Sequence, residues 1–436
     1  MEPNAAVRSR LTHSLEVSQL GRYISDEIGN RLGPQIQTQE REAFVNFVET
    51  ACLMHDIGNP PFGHFGEAAI QKWFSDEGEG CVIAAIQLKQ GKIGTGDQRL
   101  IATLADFKEF DGNPQSLRIV TRLQWNSDEF GLNLTKTALA SFLKYLRQSG
   151  DQSDELFKKK AGYFSTEKSI VESIWKELGY AGPQRFPLAY VMEAADDIAY
   201  CISDLEDSFE KGLVHEPSAL KEIEENFEKR NFPEADKTSE EISKILAAVR
   251  SGKRNDGRDF TYTDFRTSLN RTIVAFVADR YFEHHTKILD GTLDGLLPLD
   301  SPCGAILETL KSYCRTHVYC HESIQKTELA GYTAIRGLLD QFKPLFECSR
   351  ARFQAALDNK KKDDSGKPIL LESKFLSLFP NKYIKVYCNE ITQFANDDAG
   401  NFLEWNARAH LIVDFISGMT DDFSMTTYRT LSGMRL

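Results

Sequence analysis

The chain reads FVNFVETACLMHDIGNPPFGHFGE from Phe44 to Glu67, and this stretch decides the predicted fold. Apolar residues and one histidine recur in its first half at the spacing of a single helix face: Phe44, Phe47, Val48, Ala51 and His55. His55 is therefore predicted to lie on the apolar side of a helix and to point inward. Gly58 and the Pro60-Pro61 pair should end that helix, because proline cannot continue it and glycine relieves the strain of its last turn.

The end of this stretch carries side chains that bind metals and transfer protons. His55 is followed directly by Asp56, and after the glycine and proline break come His64 and Glu67. Imidazole and carboxylate together suit a divalent metal that polarises a phosphate and lowers the pKa of bound water. The first hypothesis is therefore a catalytic metal site.

A second inward-facing histidine is predicted near the start of the chain. Between Leu11 and Ile28 an apolar stripe is formed by Val17, Leu20, Ile24 and Ile28. At about 100° per residue His13 falls on the same side of this helix. Two helices roughly forty residues apart in sequence would then each direct one imidazole into the interior.

A third helical segment, Tyr190–Asp207, carries a row of polar side chains on one face. That face is formed by Asp196, Tyr200, Asp204 and Asp207, and the opposite face is apolar. A well-packed helix that aims several carboxylates in one direction faces either solvent or a polar cleft. With His13, His55 and Asp56, one aspartate of this row would complete a set of two histidines and two carboxylates. Such a set suits Mn²⁺, Fe²⁺ or Co²⁺ and tolerates Mg²⁺.

Composition limits the class of protein. Of 436 residues, 41% are hydrophobic and 27% charged, and 28 phenylalanines can build a large core. No apolar run approaches the roughly 18 residues of a membrane span, and the first residues lack the apolar segment of a signal peptide. Eight scattered cysteines without framework spacing are typical of reduced thiols. We therefore expect a cytoplasmic, non-membrane protein.

The charge balance bears on the partner. A net charge of −12 argues against coating of nucleic acid but leaves room for a local basic cluster. An anionic substrate would need such a cluster, and Arg10, Lys144 and the run Lys158–Lys160 offer one. Each of these is a surface charge on the alternative interpretation.

The remaining patterns concern fold details. Helical periodicity dominates, residues 86–115 are predicted to be rich in loops, and residues 358–367 form a mobile loop. Strand signals are sparse, with only a weak alternation at Ile384–Tyr387. The spacing from Cys314 to His321 resembles a zinc motif, but it lacks a second ligand pair and is interpreted as core or interface.

Four ordered motifs resemble one family. Arg10-Leu-Thr-His13-Ser, His55-Asp56 with its context to Ile70, Glu193-Ala-Ala-Asp196-Asp197-Ile-Ala-Tyr200 and Phe415-Ile-Ser-Gly-Met-Thr-Asp421 are similar to the HD-domain deoxynucleotide triphosphohydrolases, in particular those acting on dGTP. Glu328-Leu-Ala-Gly-Tyr332 matches as well, and the similarity extends from about residue 4 to the C-terminus. It implies an all-α, single-domain protein spanning 1–436, with an HD core over about 4–215 and an additional C-terminal helical part over about 216–436.

The resemblance implies a role for particular residues. The implied metal ligands are His13, His55, Asp56 and Asp196; the implied catalytic pair is His64 and Glu67; the implied substrate-binding residues are Arg10, Asn113, Lys144, Tyr145, Lys160, Tyr200, Asp204 and Glu328. Tyr200 would pack on the deoxyribose and Asp204 would bind its 3′-hydroxyl. The implied cofactor is Mn²⁺ or Mg²⁺.

The implied reaction is hydrolysis of dGTP to deoxyguanosine and inorganic triphosphate by attack of water at the α-phosphate. Two alternatives stay open: an HD phosphohydrolase with broader dNTP specificity, and a non-catalytic member that binds nucleotide or single-stranded DNA. The second follows because members usually carry a segment upstream of the first metal motif, whereas His13 lies near the start here. Hexamers and binding of single-stranded DNA are expected from the resemblance alone.

Overall fold

The computed structural model describes residues 9–86, 93–94, 96–153, 155–230, 232, 236–254 and 257–434. Helices dominate this part of the chain, which confirms the all-α prediction. The first ten are α1 (Arg10–Leu32), α2 (Thr38–Met54), α3 (His64–Ala85), α4 (Gln98–Lys108), α5 (Gly112–Arg118), α6 (Lys136–Phe142), α7 (Lys168–Glu177), α8 (Pro187–Glu210), α9 (Glu216–Glu228) and α10 (Lys237–Ser251).

The helices that follow complete the second half of the chain. They are α11 (Tyr262–Glu283), α12 (His285–Leu289), α13 (Pro302–Tyr313), α14 (Glu322–Glu347), α15 (Arg350–Leu357), α16 (Leu370–Leu376), α17 (Asn381–Ile391), α18 (Asp398–Ser417) and α19 (Asp421–Leu431). Two short strands, β1 (Arg147–Gln148) and β2 (Ala161–Tyr163), pair in parallel with Arg147 opposite Ala161. No helix among the described residues is both long enough and apolar enough to cross a membrane.

Two predictions about local structure were wrong. Residues 384–387 lie inside α17, where Val386 and Tyr387 are buried and the Tyr387 hydroxyl donates to Glu404 Oε1 at 2.6 Å. A run of four residues is too short to separate strand from helix, and packing against α18 decides it. Within the segment 86–115, α4 and the start of α5 replace the expected loops; residues 87–92 and 95 lie outside the described part.

The predicted loop at 358–367 is present between α15 and α16. Its Asp363 carboxylate accepts hydrogen bonds from the backbone N–H groups of Ser365 and Lys367, at 3.0 and 2.9 Å. Lys362 and Pro368 form an isolated antiparallel bridge across it. Its mobility stays a prediction.

The apolar interior forms two clusters. The first packs α1 and α2 against α8, α11 and α13, with Val17 and Ile198 fully buried. The second packs α3 and α4 against α14 and α18, around Trp73, Phe74 and Trp405. Both clusters contain residues from before and after residue 215. The apolar contacts therefore do not separate at the predicted boundary between the HD core and the C-terminal helical part, and that division stays a prediction.

Buried charges tie α5 to the C-terminal helices. The Arg118 side chain is 1% exposed and lies 3.0 Å from Asp414, 3.2 Å from Glu167 and 3.3 Å from Glu390. Gln115 of α5 also donates to Asp414, at 2.9 Å. A charge in this position is stable only with its partners, because each ion left alone would have to be desolvated without compensation.

We predict that Arg118→Met lowers the free energy of unfolding by roughly 3–5 kcal/mol, since it leaves the buried Asp414 carboxylate without its cation. Denaturation in urea with a helical signal measures the loss. Lys72→Met is the control, because its pair with Asp76 has a lysine that is 58% exposed and such pairs contribute about 0–1 kcal/mol. Equal losses in both variants would contradict the role of the buried network.

Candidate active site

His55 lies directly after the last residue of α2 and is 8% exposed. Its Nδ1 is 2.7 Å from the carbonyl oxygen of Cys52, so this nitrogen carries the proton and donates it. Its Nε2 is buried and has no hydrogen-bond partner among the described residues. An imidazole fixed in this way through one nitrogen can offer the other to a metal once that nitrogen has lost its proton.

Three further side chains surround this nitrogen. His13 of α1, His55 and Asp56 place one donor atom each within 4.8 Å of one another. Asp196 of α8 lies with Oδ1 at 3.3 Å from His55 Nε2 and 3.6 Å from His13 Nε2. The structure thus brings the four residues together, with Asp196 joined through its contacts to both histidines, and their role as metal ligands stays a prediction.

The charges of this cluster favour a cation at its centre. Burial lowers the pKa of His55, but Asp196 and Asp56 outweigh burial and raise it to about 9. Burial by itself raises the pKa of Asp196, yet His13, His55 and Lys144 hold it well below its usual range. The two imidazoles and two carboxylates therefore fit a divalent first-row ion or Mg²⁺, which would replace the proton that His55 otherwise holds.

A tight turn connects the metal cluster to α3. Gly58 lies so close to α5 that a Cβ there would be 2.2 Å from the backbone nitrogen of Ser116, and its own N–H donates to Ser116 Oγ at 2.9 Å. Only glycine fits this approach. This close approach places the residues that follow the turn at the N-terminus of α5.

The predicted catalytic pair is assembled at that point. Glu67 is buried and accepts a hydrogen bond from the Gly112 N–H at 2.8 Å through Oε1. Its other oxygen, Oε2, lies 2.7 Å from His64 Nδ1. Since α3 begins at His64, the two residues lie on one face of its first turn. The His64 side chain is 85% exposed, so Nε2 is directed away from Glu67 and is accessible.

Two lysines lie near these groups, one at the metal cluster and one beside Asp111. Lys144 Nζ is 3.5 Å from Glu193 and 3.9 Å from Asp196, and these carboxylates raise its pKa although burial opposes them. Lys160 Nζ is 3.2 Å from Asp111, and both ammonium groups lie 6.0 Å from the Tyr145 ring centre.

Asn113 also belongs to this neighbourhood. Its amide donates to Asp111 at 2.6 Å. A small cavity is lined by Asn113 together with His55 and Lys144. Three predicted phosphate-binding residues, Asn113, Lys144 and Lys160, are therefore near the metal cluster or the catalytic pair.

The sugar-binding candidates are linked through a residue that the sequence did not single out. The Tyr200 hydroxyl is 2.8 Å from the Tyr319 hydroxyl, and Tyr319 donates to Asp204. Burial raises the pKa of Asp204, with Asp207 adding to the effect, although the Tyr319 hydrogen bond opposes it. The Cys314–His321 segment thus supplies a tyrosine to this face of α8, while its His317 pairs with Glu222 at 3.0 Å.

Two predicted substrate residues make other contacts. Arg10 donates to the carbonyl oxygens of Asn59 and Pro60, at 2.6 Å each. Glu328 lies in α14, and among the described residues no hydrogen bond or ion pair joins it to the other candidates. Their roles toward substrate stay predictions.

Comparison with known proteins agrees with this geometry. Residues 10–121 match the family model of the HD domain. A probable deoxyguanosinetriphosphate triphosphohydrolase of Pseudomonas aeruginosa is 34% identical over 100% of this chain and 88% of its own length. The deoxyguanosinetriphosphate triphosphohydrolase of Salmonella typhi is 35% identical over 99% of this chain and 88% of its own length. The chain belongs to the deoxyguanosinetriphosphate triphosphohydrolase family. It is therefore an HD-domain enzyme.

Several residues at this family member's site were given no role by the sequence. Glu193 holds Lys144, and it is itself held by the fully buried Arg185 at 2.6 Å. Asp111 binds Lys160 and Asn113. Tyr319 lies more than a hundred residues from its partners on α8, and no local pattern marks such a contact.

The His64–Glu67 pair gives a prediction for this triphosphohydrolase family member that does not depend on turnover. The hydrogen bond to Glu67 raises the pKa of His64 above 6.5. We expect Glu67→Gln to lower the pKa of His64, because the neutral amide no longer stabilises the imidazolium. Titration of the His64 Cε1 proton by NMR measures the change.

The raised pKa of His64 also makes the stability of the fold depend on pH. A histidine whose folded-state pKa is raised stabilises the fold below its ordinary pKa, and this contribution is lost as pH rises through the raised pKa. Thr12→Ser is the control, because the Thr12 hydroxyl donates to the Ser9 carbonyl oxygen at 2.9 Å at the start of α1 and is not part of the His64–Glu67 pair. An unchanged titration of His64 in Glu67→Gln would refute the pairing.

Proposed function

We propose that the protein hydrolyses dGTP to deoxyguanosine and inorganic triphosphate, with a divalent ion, Mn²⁺ or Mg²⁺, in the cluster of two histidines and two aspartates. The observation that carries the proposal is the junction at α5. At one end of the turn the Gly58 N–H donates to Ser116 of this helix, and at the other end Glu67 accepts from the Gly112 N–H at its start. Metal ligands and an exposed, proton-bearing histidine therefore border one site. The names of the relatives supply the substrate.

The metal would be held by His13, His55, Asp56 and Asp196. When bound, it would supply charge neutralisation of the α-phosphate and a lowered pKa for a coordinated water. The Cys52 carbonyl fixes the His55 ring in the tautomer that presents Nε2 to the ion. Lys144 neutralises the charge that Glu193 and Asp196 would otherwise accumulate there.

His64 is assigned to proton transfer. Its Nδ1–H is bound by Glu67, which leaves Nε2 as the acid that protonates the departing 5′-oxygen of deoxyguanosine. Because Glu67 raises the pKa of His64, a larger fraction of the imidazole holds its proton near neutral pH. Glu67 itself cannot rotate away, since Gly112 binds its other oxygen.

The remaining candidates match the parts of the nucleotide. In this proposal Lys144, Lys160 and Asn113 would stabilise the charge of a bound triphosphate, and Arg10 of α1 would face it. Tyr200 presents a ring that is 37% exposed, beside Asp204. A ring stacked under the sugar would leave no room for a 2′-hydroxyl, and Asp204 would accept from the 3′-hydroxyl.

The first test is product analysis with dGTP, dATP, dCTP, TTP and GTP in Mn²⁺ or Mg²⁺. We expect deoxyguanosine and intact triphosphate from dGTP, with little hydrolysis of GTP. Release of dGMP or dGDP would contradict attack at the α-phosphate. Similar rates on all four dNTPs would favour the broader specificity, and binding of metal and nucleotide without any product would favour a non-catalytic member.

The second test is His64→Ala. We expect kcat to fall by about 10²–10⁴-fold, the range of general acid–base catalysis, while the metal content stays unchanged. His215→Ala is the matched control, because that exposed histidine contacts only Ser218 among the contacts described for its ring. Turnover comparable to wild type in His64→Ala would remove the assignment.

Assembly and DNA binding complete the proposal. A homo-oligomer, a hexamer by resemblance, is expected in solution, and light scattering measures its mass. Binding of single-stranded DNA is expected by the same resemblance, and a fluorescent oligonucleotide titration tests it. Cytoplasmic localisation stays a prediction.

A further inference from the structure

The turn that leads into His64 has an unusual backbone. Phe62 has φ +62° and Gly63 has φ +56°, so two successive residues have a positive φ, and the first of them carries a large side chain. Such a conformation is sparsely populated for phenylalanine and persists only where the surroundings impose it. His64 is the next residue, so its position depends on this turn.

The start of α3 does not hold the turn by itself. The helix begins after Gly63, which provides no side-chain cap for the first N–H groups. His64 is the first helical residue and is 85% exposed, and its side chain is bound only through Glu67. The first turn of a helix without a cap frays readily, so an external contact is needed to fix the backbone at residue 64.

Asp421 makes that contact. Its Oδ1 accepts a hydrogen bond from the Phe62 N–H at 3.0 Å, directly at the first residue with a positive φ. The same oxygen lies 3.6 Å from Arg10, whose guanidinium donates to the Asn59 and Pro60 carbonyls at 2.6 Å each. The two ends of the described chain, α1 and α19, thus bind the same turn from outside the metal cluster.

Asp421 is itself held in place by helix packing. α19 packs on α14 so closely that a Cβ at Gly337 would lie 2.1 Å from the Tyr428 ring. The Phe62 ring packs against Gly331 of α14 in the same way, because a Cβ at Gly331 would lie 2.1 Å from the Phe62 Cγ. Both the ring of Phe62 and the acceptor of its N–H therefore rest on α14 and α19, which belong to the second apolar cluster.

We infer that Asp421 is a positioning residue for His64: it stabilises the turn of positive φ and thereby sets the direction from which His64 Nε2 reaches the substrate. The inference rests on the proposed function for its kinetic consequence, but its structural part does not. Asp421 acts through the backbone of residues 62–64 and is not assigned any contact with the nucleotide.

The test uses Asp421→Ala and Asp421→Asn in the full chain. Alanine removes the acceptor for the Phe62 N–H, whereas asparagine keeps an oxygen there and loses only the charge near Arg10. We expect kcat for dGTP to fall by about 10- to 100-fold in Asp421→Ala, the scale of a displaced reacting group, with KM and metal content little changed. Asp421→Asn should retain most of the turnover.

Asp422→Ala is the matched control, because it removes the neighbouring carboxylate in the same first turn of α19 and the same favourable interaction with the helix dipole. We expect near wild-type kcat in this variant. If Asp421→Ala and Asp422→Ala lower kcat equally, the loss comes from destabilising α19 as a whole, and the inference fails.

Hydrogen–deuterium exchange of the peptide covering residues 59–66 provides a readout without substrate. Exchange should accelerate in Asp421→Ala and not in Asp422→Ala or Asp421→Asn. Faster exchange with unchanged kcat would overturn the positioning role. If the wild type does not hydrolyse dGTP, the proposed function fails, and unchanged exchange in Asp421→Ala would then overturn the inference separately.

Discussion

The close approach of the turn after α2 to the N-terminal half of α5 is the constraint on which the site depends. Gly58 leaves no space for a side chain against Ser116, and the same helix offers its Gly112 N–H to Glu67. One short helix therefore fixes the distance between the metal cluster and the proton-transfer pair. Neither set of residues could be moved without breaking a hydrogen bond to α5.

The position of α5 is in turn secured by charge. Arg118, at its C-terminal end, is buried among carboxylates from three other parts of the chain, and Gln115 adds a bond to Asp414. Buried ion pairs are costly to assemble, so they tolerate few alternative arrangements. The network thus makes the geometry of the site dependent on α18, some three hundred residues away in sequence.

The acidic face of α8 shows how one helix serves several purposes. Asp196 faces the two imidazoles, and Tyr200 and Asp204 face Tyr319 one and two turns later. The buried apolar side of α8, which includes Ile198 and Ile202, holds this row in a fixed direction. The sequence left open whether this acidic face meets solvent or a polar cleft. At Asp196 it meets a cleft, because the Asp196 carboxylate contacts both histidines.

The amino-acid sequence predicted the helical class and the inward direction of His13 and His55. These follow from local periodicity, since side chains three or four residues apart on a helix are neighbours in any fold. It misjudged residues 384–387, where a four-residue pattern is ambiguous. Glu193 and Asp421 stood in motifs of the family resemblance without a role, and the tertiary structure shows that they and Tyr319 border or support the site. Their contacts join segments far apart in the chain. The packing of whole helices, and not local periodicity, sets such distances, so the sequence did not predict these contacts.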